Sequence, residues 1–297
     1  MQTERPSPRF ADIELWEPAD VLEAMIGGQF AAVAAVRAAL PEIERAAQSI
    51  ESRLRADGRL VYAGAGTSGR LAVQDGAELM PTFNWPRARL LLLIAGGHEA
   101  MMRAVEGAED EIEQAAAQAQ QHGIGTDDAV IAVAASGTTP FTLSCLRTAK
   151  ARGAFTVGIA NNRDTPILRE ANQGIFLDTG AEPIAGSTRM NAGTAQRITL
   201  NLLSTLVMIR LGRVYRGMMV DVQSTNVKLD KRKRRMAAYL TGCSEEQARH
   251  ALEQSEGNVK VAILILHGCS RDLARAKLER AGGRLRQALQ GFDDTAE

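Results

Sequence analysis

Apolar positions change their rhythm twice along the chain. Over residues 19–56 they recur at helical spacing, through FAAVAAVRAALPEIERAAQSI, and Pro41 predicts a break or kink in that stretch. Short apolar runs then take over: RLVYA (59–63), ARLLLLIA (88–95), AVIAVA (129–134), FTVGIA (155–160) and GIFLD (174–178), with helical stretches between them. Runs of this kind without polar alternation read as strands buried on both faces, so the pattern predicts a parallel sheet covered by helices on both sides. A long helix is expected from Gly186 to about Leu211. From 237 to 290 the rhythm is that of short helices, in SEEQARHALEQ, NVKVAILILHG, SRDLARAKLER and GGRLRQALQ, and Ser244 followed by Gln247 fits a capping box. The expected division is an N-terminal helical segment (1–56), an α/β domain (57–227) and a C-terminal helical domain (228–297).

Composition narrows the classes. The 297 residues are 45% hydrophobic and 24% charged, as in an ordinary globular protein. No apolar run reaches the roughly 20 residues of a membrane span, and the opening MQTERPSPRFADIELWEP is not built like a secretory signal. A cytoplasmic protein without a membrane partner is expected. Thirty-five basic residues balance thirty-five acidic ones, which argues against a nucleic-acid partner. The basic run KLDKRKRRMA (228–237) reads as a solvated face. Cys145, Cys243 and Cys269 lack C-x-x-C spacing and read as reduced, buried thiols. His98, His122, His250 and His267 form no metal-ligand pattern, so no metal is expected.

The candidate chemistry begins at GAGTSG (64–69), which follows an apolar run and precedes a helical one. Gly64, Gly66 and Gly69 would let an anion approach backbone N–H groups at a helix start. A dinucleotide would also need an acid at the tip of the second strand, where IAGGHEA places Gly96 and Gly97; NAD is therefore disfavoured. The loop instead carries hydroxyls, Thr67 and Ser68, suited to a phosphate monoester. AASGTTPF repeats the chemistry with Ser136, Gly137, Thr138 and Thr139, and AGSTRMNAGTAQ offers Ser187 and Thr188 before a third helix. A Ser or Thr at a helix start is also an ordinary N-cap; three such junctions on one sheet edge favour phosphate. Among carboxylates, Glu78 lies just before Met80-Pro81, where a helix should end, and Glu106 and Glu109 follow the second strand in AVEGAED. A surface acid is the default reading of any one of them, and they draw interest because both segments follow strands expected to end at the same rim.

These junctions resemble the sugar isomerase (SIS) domain. More closely, GAGTSGRLAVQDGAELMPTF, LIAGG, AVEGAED, AASGTTPF, GSTRMNAGTAQRITLNLLSTLVMIRLGRVY and MVDVQSTNVKL, in this order, resemble the N-acetylmuramic acid 6-phosphate etherase family, and the tail resembles its C-terminal helical region. The resemblance implies an SIS-type three-layer αβα sandwich with a parallel sheet, preceded by helices and followed by a small helical domain like a ubiquitin-associated bundle. It implies cleavage of the lactyl ether of N-acetylmuramate 6-phosphate to N-acetylglucosamine 6-phosphate and D-lactate, without a cofactor, in a homodimer. The family's acids fall on Glu78 and Glu109, leaving Glu106 the lesser candidate. Phosphate positions fall on Ser68, Ser136 and Thr139, with Gly66, Thr67, Gly137, Thr138, Ser187 and Thr188 as further substrate positions. The chain departs from the family at Asn191, usually Lys, and keeps only Thr3-Glu4-Arg5 of a T-E-x-R-N signature. Two other readings stand beside this one: a sugar-phosphate isomerase, and a non-catalytic phosphosugar-binding regulator. The N-terminal helices offer no helix-turn-helix for DNA.

Overall fold

The computed structural model describes residues 1–222 and 227–290. Residues 223–226, inside the string MVDVQSTNVKL, and 291–297 lie outside the described residues. The chain forms two units, Met1–Ala77 with Arg87–Val207, and Glu78–Pro86 with Met208–Glu297.

The first unit is built on a five-stranded parallel sheet: β1 (Leu60–Gly64), β2 (Leu90–Ile94), β3 (Ala129–Val133), β4 (Phe155–Ala160) and β5 (Gln173–Phe176), in the order β2-β1-β3-β4-β5. β1 and β3 are buried at every position, as expected of apolar runs covered on both faces. Alternation along the strands divides the core. Val61, Ala63, Val130 and Ala132 face a layer holding α4 (Ile112–Gln121), α5 (Pro140–Ala151) and α6 (Pro166–Glu170) through Ala115, Ala119, Phe141, Leu146 and Ile167. Tyr62 points the other way, where its ring lies beside Gly76 of α3 (Gly66–Phe83) and its hydroxyl donates to Asp75 Oδ2 at 2.8 Å. α2 (Leu40–Arg55) also contacts β3, β4 and β5, and it carries buried Ile43, Ile50 and Leu54. Helices thus cover both faces.

Several boundaries differ from those the pattern predicts, each for a local reason. Pro41 does not kink a continuous helix; it sits in the first turn of α2, after α1 (Pro18–Ala38) has ended. α3 runs through Pro81 to Phe83, because proline in a last turn removes a single amide, while Asn84 N–H and Trp85 N–H donate to the carbonyls of Met80 and Leu79 and close the end. α7 (Asn191–Arg210) begins five residues later than expected, since Gly186–Met190 form turns bonded back to Ile184, Gly186 and Ser187. α1 is long and apolar enough to cross a membrane by length and composition alone, contrary to the reading of the apolar runs.

In the second unit, β6 (Val214–Tyr215) and β7 (Met218–Met219) form a small hairpin. It is followed by α8 (Val227–Thr241), α9 (Glu245–Gln254), α10 (Val259–Leu266), α11 (Arg271–Arg280) and α12 (Leu285–Ala288). α10 supplies the core of this unit with Val259, Val261, Ile263 and Leu264, and Ser244 closes the expected capping box with Gln247. One lysine of the basic run departs from a solvated face: Lys233 is buried, and its Nζ donates to the Gly257 carbonyl at 2.9 Å. Lys260, also buried, is paired with Asp221 at 2.6 Å.

At the N-terminal edge of the sheet, Arg59 and Asp128 fasten the starts of β1 and β3. Arg59 Nε and Nη2 donate to the two Asp128 oxygens at 2.9 and 2.7 Å, and the Gly125 amide adds a bond at 3.0 Å. Burial alone would raise the Asp128 carboxyl; the hydrogen bonds from Arg59 and from the amides outweigh it and hold the group below its ordinary range. A carboxyl depressed in the fold contributes stability above its unfolded pKa, and that contribution is lost as pH falls through the folded value. Asp128→Asn should therefore cost about 2–4 kcal/mol at neutral pH, with the gap to the parent closing below about pH 4. Urea unfolding across pH 2.5–7 checks this, and a gap that stays constant would refute it.

Candidate active site

Strand order 2-1-3-4-5 has its topological switch between β1 and β3, where the chain leaves for opposite faces of the sheet. α3 follows β1 onto one face and α5 follows β3 onto the other, so their N-termini flank one crevice at the C-terminal edge. Both hydroxyl-rich loops border it.

The first loop is shaped by two glycines that approach each other. A Cβ on Gly69 would lie 2.8 Å from the carbonyl carbon and oxygen of Gly64, and a Cβ on Gly64 would lie 2.8 Å from Gly69 Cα. Gly64 and Gly69 thus bring the first turn of α3 against the end of β1. That turn carries Gly66, Thr67 and Ser68, with Ser68 buried and Gly69 N–H donating to Ala65 O at 2.9 Å. Amides in a helix's first turn have no intrahelical acceptor and can receive an anion.

In the second loop, Thr139 is the N-cap of α5, yet its side chain makes no capping hydrogen bond. Its Oγ1 lies 3.2 Å from Ser136 Oγ, which also accepts from Thr138 N–H at 3.2 Å. The ordinary capping role thus does not describe Thr139, and Pro140 occupies the first turn of the helix, where its missing N–H costs nothing. Gly137 has φ +71°, and a Cβ there would overlap Thr165. Only glycine fits this turn, which is braced by Ile167 N–H donating to its carbonyl at 3.2 Å.

The third helix start differs from the other two. Glu182 is almost fully buried, and its carboxylate oxygens accept from the amides of Asn191 and Ala192 at 2.8 and 2.9 Å. Burial raises this carboxyl above its ordinary value, and the two amides offset part of the rise. The first amides of α7 are therefore occupied from within, contrary to the expectation of three equivalent open starts. Ser187 and Thr188 stand half-exposed in the preceding turns. Thr188 and the first loop meet at Gly193, where a Cβ would lie 3.2 Å from Thr188 O and 3.6 Å from Thr67 Cγ2. Asn191 is turned away toward α1, where its Oδ1 accepts from Gln29 Nε2 at 3.3 Å. Glu182 carried no signal in the sequence, because a lone Glu in AEPIAG looks like any surface acid.

Glu109 lies on a single 3-10 turn, Ala108–Asp110, anchored by buried Ala108. Arg70, from the first turns of α3, holds the preceding segment by donating to the carbonyls of Ala100 and Arg103 at 2.7 and 3.2 Å. Glu78 lies further along α3, in the part of the helix grouped with the second unit. Glu78, Glu106 and Glu109 are all exposed in the single chain. Unequal burial of a carboxylate pair is thus not built into one copy alone.

Residues 42–150 match the model of the glucokinase regulatory protein N-terminal SIS domain, and residues 109–206 match that of the SIS domain. An N-acetylmuramic acid 6-phosphate etherase of Deinococcus radiodurans is 48% identical over 265 residues, 89% of this chain and 87% of that protein. The proteins of the same name from Streptomyces avermitilis and Rubrobacter xylanophilus are 44% and 41% identical, over 90% and 89% of this chain and 86% and 88% of theirs.

The glycine contact is open to test. Gly69→Ala forces backbone away from backbone and should destabilise the chain by about 1–3 kcal/mol, as overpacking in a core does. Thermal unfolding measures this, and an unchanged melting temperature would show that the close approach is dispensable.

Proposed function

The chain belongs to the N-acetylmuramic acid 6-phosphate etherase family, and from that membership we propose that it cleaves the lactyl ether of N-acetylmuramate 6-phosphate, giving N-acetylglucosamine 6-phosphate and D-lactate. The observation that carries the reading is 48% identity over nine-tenths of the chain. It is supported by two helix starts that flank the sheet's switch point and carry hydroxyls where a phosphate monoester needs donors, the start of α5 having no side-chain cap.

In this reading Ser68, Ser136 and Thr139 hold the phosphate, with the backbone at Gly66, Thr67, Gly137 and Thr138 closing around it and Ser187 and Thr188 lining the sugar. Opening of the sugar ring frees an aldehyde at C1 and acidifies the hydrogen on C2. Glu109 removes that proton. Glu78 protonates the lactate oxygen leaving C3, so that elimination produces a C2–C3 double bond conjugated to the aldehyde. Water then adds at C3 with a proton returned to C2, and ring closure gives the amino sugar phosphate. The sequence of steps needs a base, an acid and an anchored phosphate.

The same reading includes a homodimer in the cytoplasm. α1 buries Gly28, Ala32, Ala35 and Val36, while Leu22, Ile26, Phe30 and Val33 project from it at 46–70% exposure. Their spacing of four, four and three residues makes one continuous apolar stripe, and a second copy is the occupant we assign to it. Cys145, Cys243 and Cys269 are all unbridged, in keeping with a reducing compartment.

Incubation with N-acetylmuramate 6-phosphate should release D-lactate, and Glu78→Gln or Glu109→Gln should slow release by about 10²-fold or more while phosphosugar binding persists. Binding without lactate release would favour a regulator, and a rearranged sugar phosphate without lactate an isomerase. Phe30→Asp should convert a dimer into a monomer by light scattering; a parent chain that is itself monomeric would remove the dimer from the reading.

A further inference from the structure

Thr3 is the only buried residue of the segment Met1–Arg5, and it is fully buried. What holds it is a hydrogen-bond hub rather than an apolar pocket. Asn162, just beyond the end of β4, uses both ends of its amide. Its Oδ1 accepts from the amides of Gln2 and Thr3 at 2.6 and 3.3 Å, and its Nδ2 donates to Thr3 Oγ1 and to Ala135 O, both at 2.9 Å. Two donors and two acceptor positions exhaust what an asparagine side chain offers. Thr3 O in turn accepts from Gly186 N–H at 3.0 Å.

The partners at the two ends of this chain of bonds are significant by position. Ala135 immediately precedes Ser136, and Gly186 immediately precedes Ser187. The segment 2–3 therefore ties the loop after β3 to the turns before α7, with Asn162 between them. We propose that Thr3, acting through Asn162, is a positioning residue for the phosphosugar site: it sets the distance between the Ser136–Thr139 loop and the Ser187–Thr188 turns. This rests on the reading of Ser136 and Thr139 as phosphate ligands. Thr3 touches no reacting group; it acts on substrate only through the loops it joins. Loss of its hydroxyl leaves an Asn162 N–H without its acceptor in a buried place, and the amide can recover a partner only by moving, which carries Ala135 and Ser136 with it.

Phosphate anchoring is equal in ground and transition states, so a displaced loop raises KM and leaves kcat nearly unchanged. Thr3→Val keeps the shape and removes the hydroxyl. It should raise KM for N-acetylmuramate 6-phosphate, and the inhibition constant of inorganic phosphate with it, by about tenfold, with kcat within about twofold of the parent. Thr3→Ser should restore both. Asn162→Asp, which cannot donate to Ala135 O when ionised, should reproduce the rise and serves if Thr3→Val folds poorly. Parent values of KM and phosphate inhibition in Thr3→Val, or a rise that Thr3→Ser does not reverse, would overturn the role. Ser136→Ala separates the two levels. If it weakens phosphate inhibition while Thr3→Val and Asn162→Asp do not, the positioning role alone fails; if it leaves inhibition unchanged, the phosphate reading fails and takes this inference with it.

Discussion

Everything at the candidate site depends on the divergence of two adjacent parallel strands. β1 and β3 run side by side in strict register from Leu60 opposite Ala129 to Gly64 opposite Val133. Beyond those residues the chain turns to opposite faces, because the helices that follow lie in different layers. Two helix starts, those of α3 and α5, therefore flank the point of divergence. The other end of the same pair of strands is closed by Arg59 and Asp128, a charge-assisted contact within the fold. One end of β1 and β3 is thus closed by an ion pair, and the other opens into the two glycine- and hydroxyl-bearing loops.

The same contrast separates the helix starts. α7 receives an internal carboxylate from Glu182, so its amides are satisfied without a ligand. At α5 the hydroxyl that would ordinarily cap the helix is engaged with its neighbour Ser136, which leaves the helix amides uncapped by that side chain. The composition of the three junctions is nearly the same in Ser, Thr and Gly. Their difference lies in what the surrounding chain brings to them: Glu182 is nine residues before Asn191 and reaches it only through the turns at 186–190.

This marks the limit of what the sequence disclosed. The strands were legible because they are covered on both faces, and their short unbroken apolar runs, such as AVIAV, alternate along the chain with longer helical stretches. The loops after β1 and β3 were legible because glycine and hydroxyl residues are unusual at the ends of such runs. The family could be recognised from the GSTR segment and the two carboxylate strings. Contacts between distant segments were not legible. Thr3 with Asn162, Glu182 with α7, and Lys260 with Asp221 each join residues whose local sequence looks unremarkable, and burial of a polar group shows only once its partner is in place. The helix through Pro81 was missed for a different reason: proline forbids a helix interior but is tolerated where only one amide is lost.

The mutual approach of Gly64 and Gly69 separates what is constrained in the first loop from what is free. Its two ends must remain glycine, since backbone stands against backbone there. Of the four residues between them, Gly66 has a φ of +53°, which favours glycine even though the space beside it is open, Ala65 and Ser68 are buried, and Thr67 is half-buried. Of these four positions, Thr67 is the one at which a side chain can be exchanged without straining a left-handed backbone or opening the core. The loop is thus a fixed frame that confines variation to a single side chain, so its shape is far more tightly inherited than its surface chemistry.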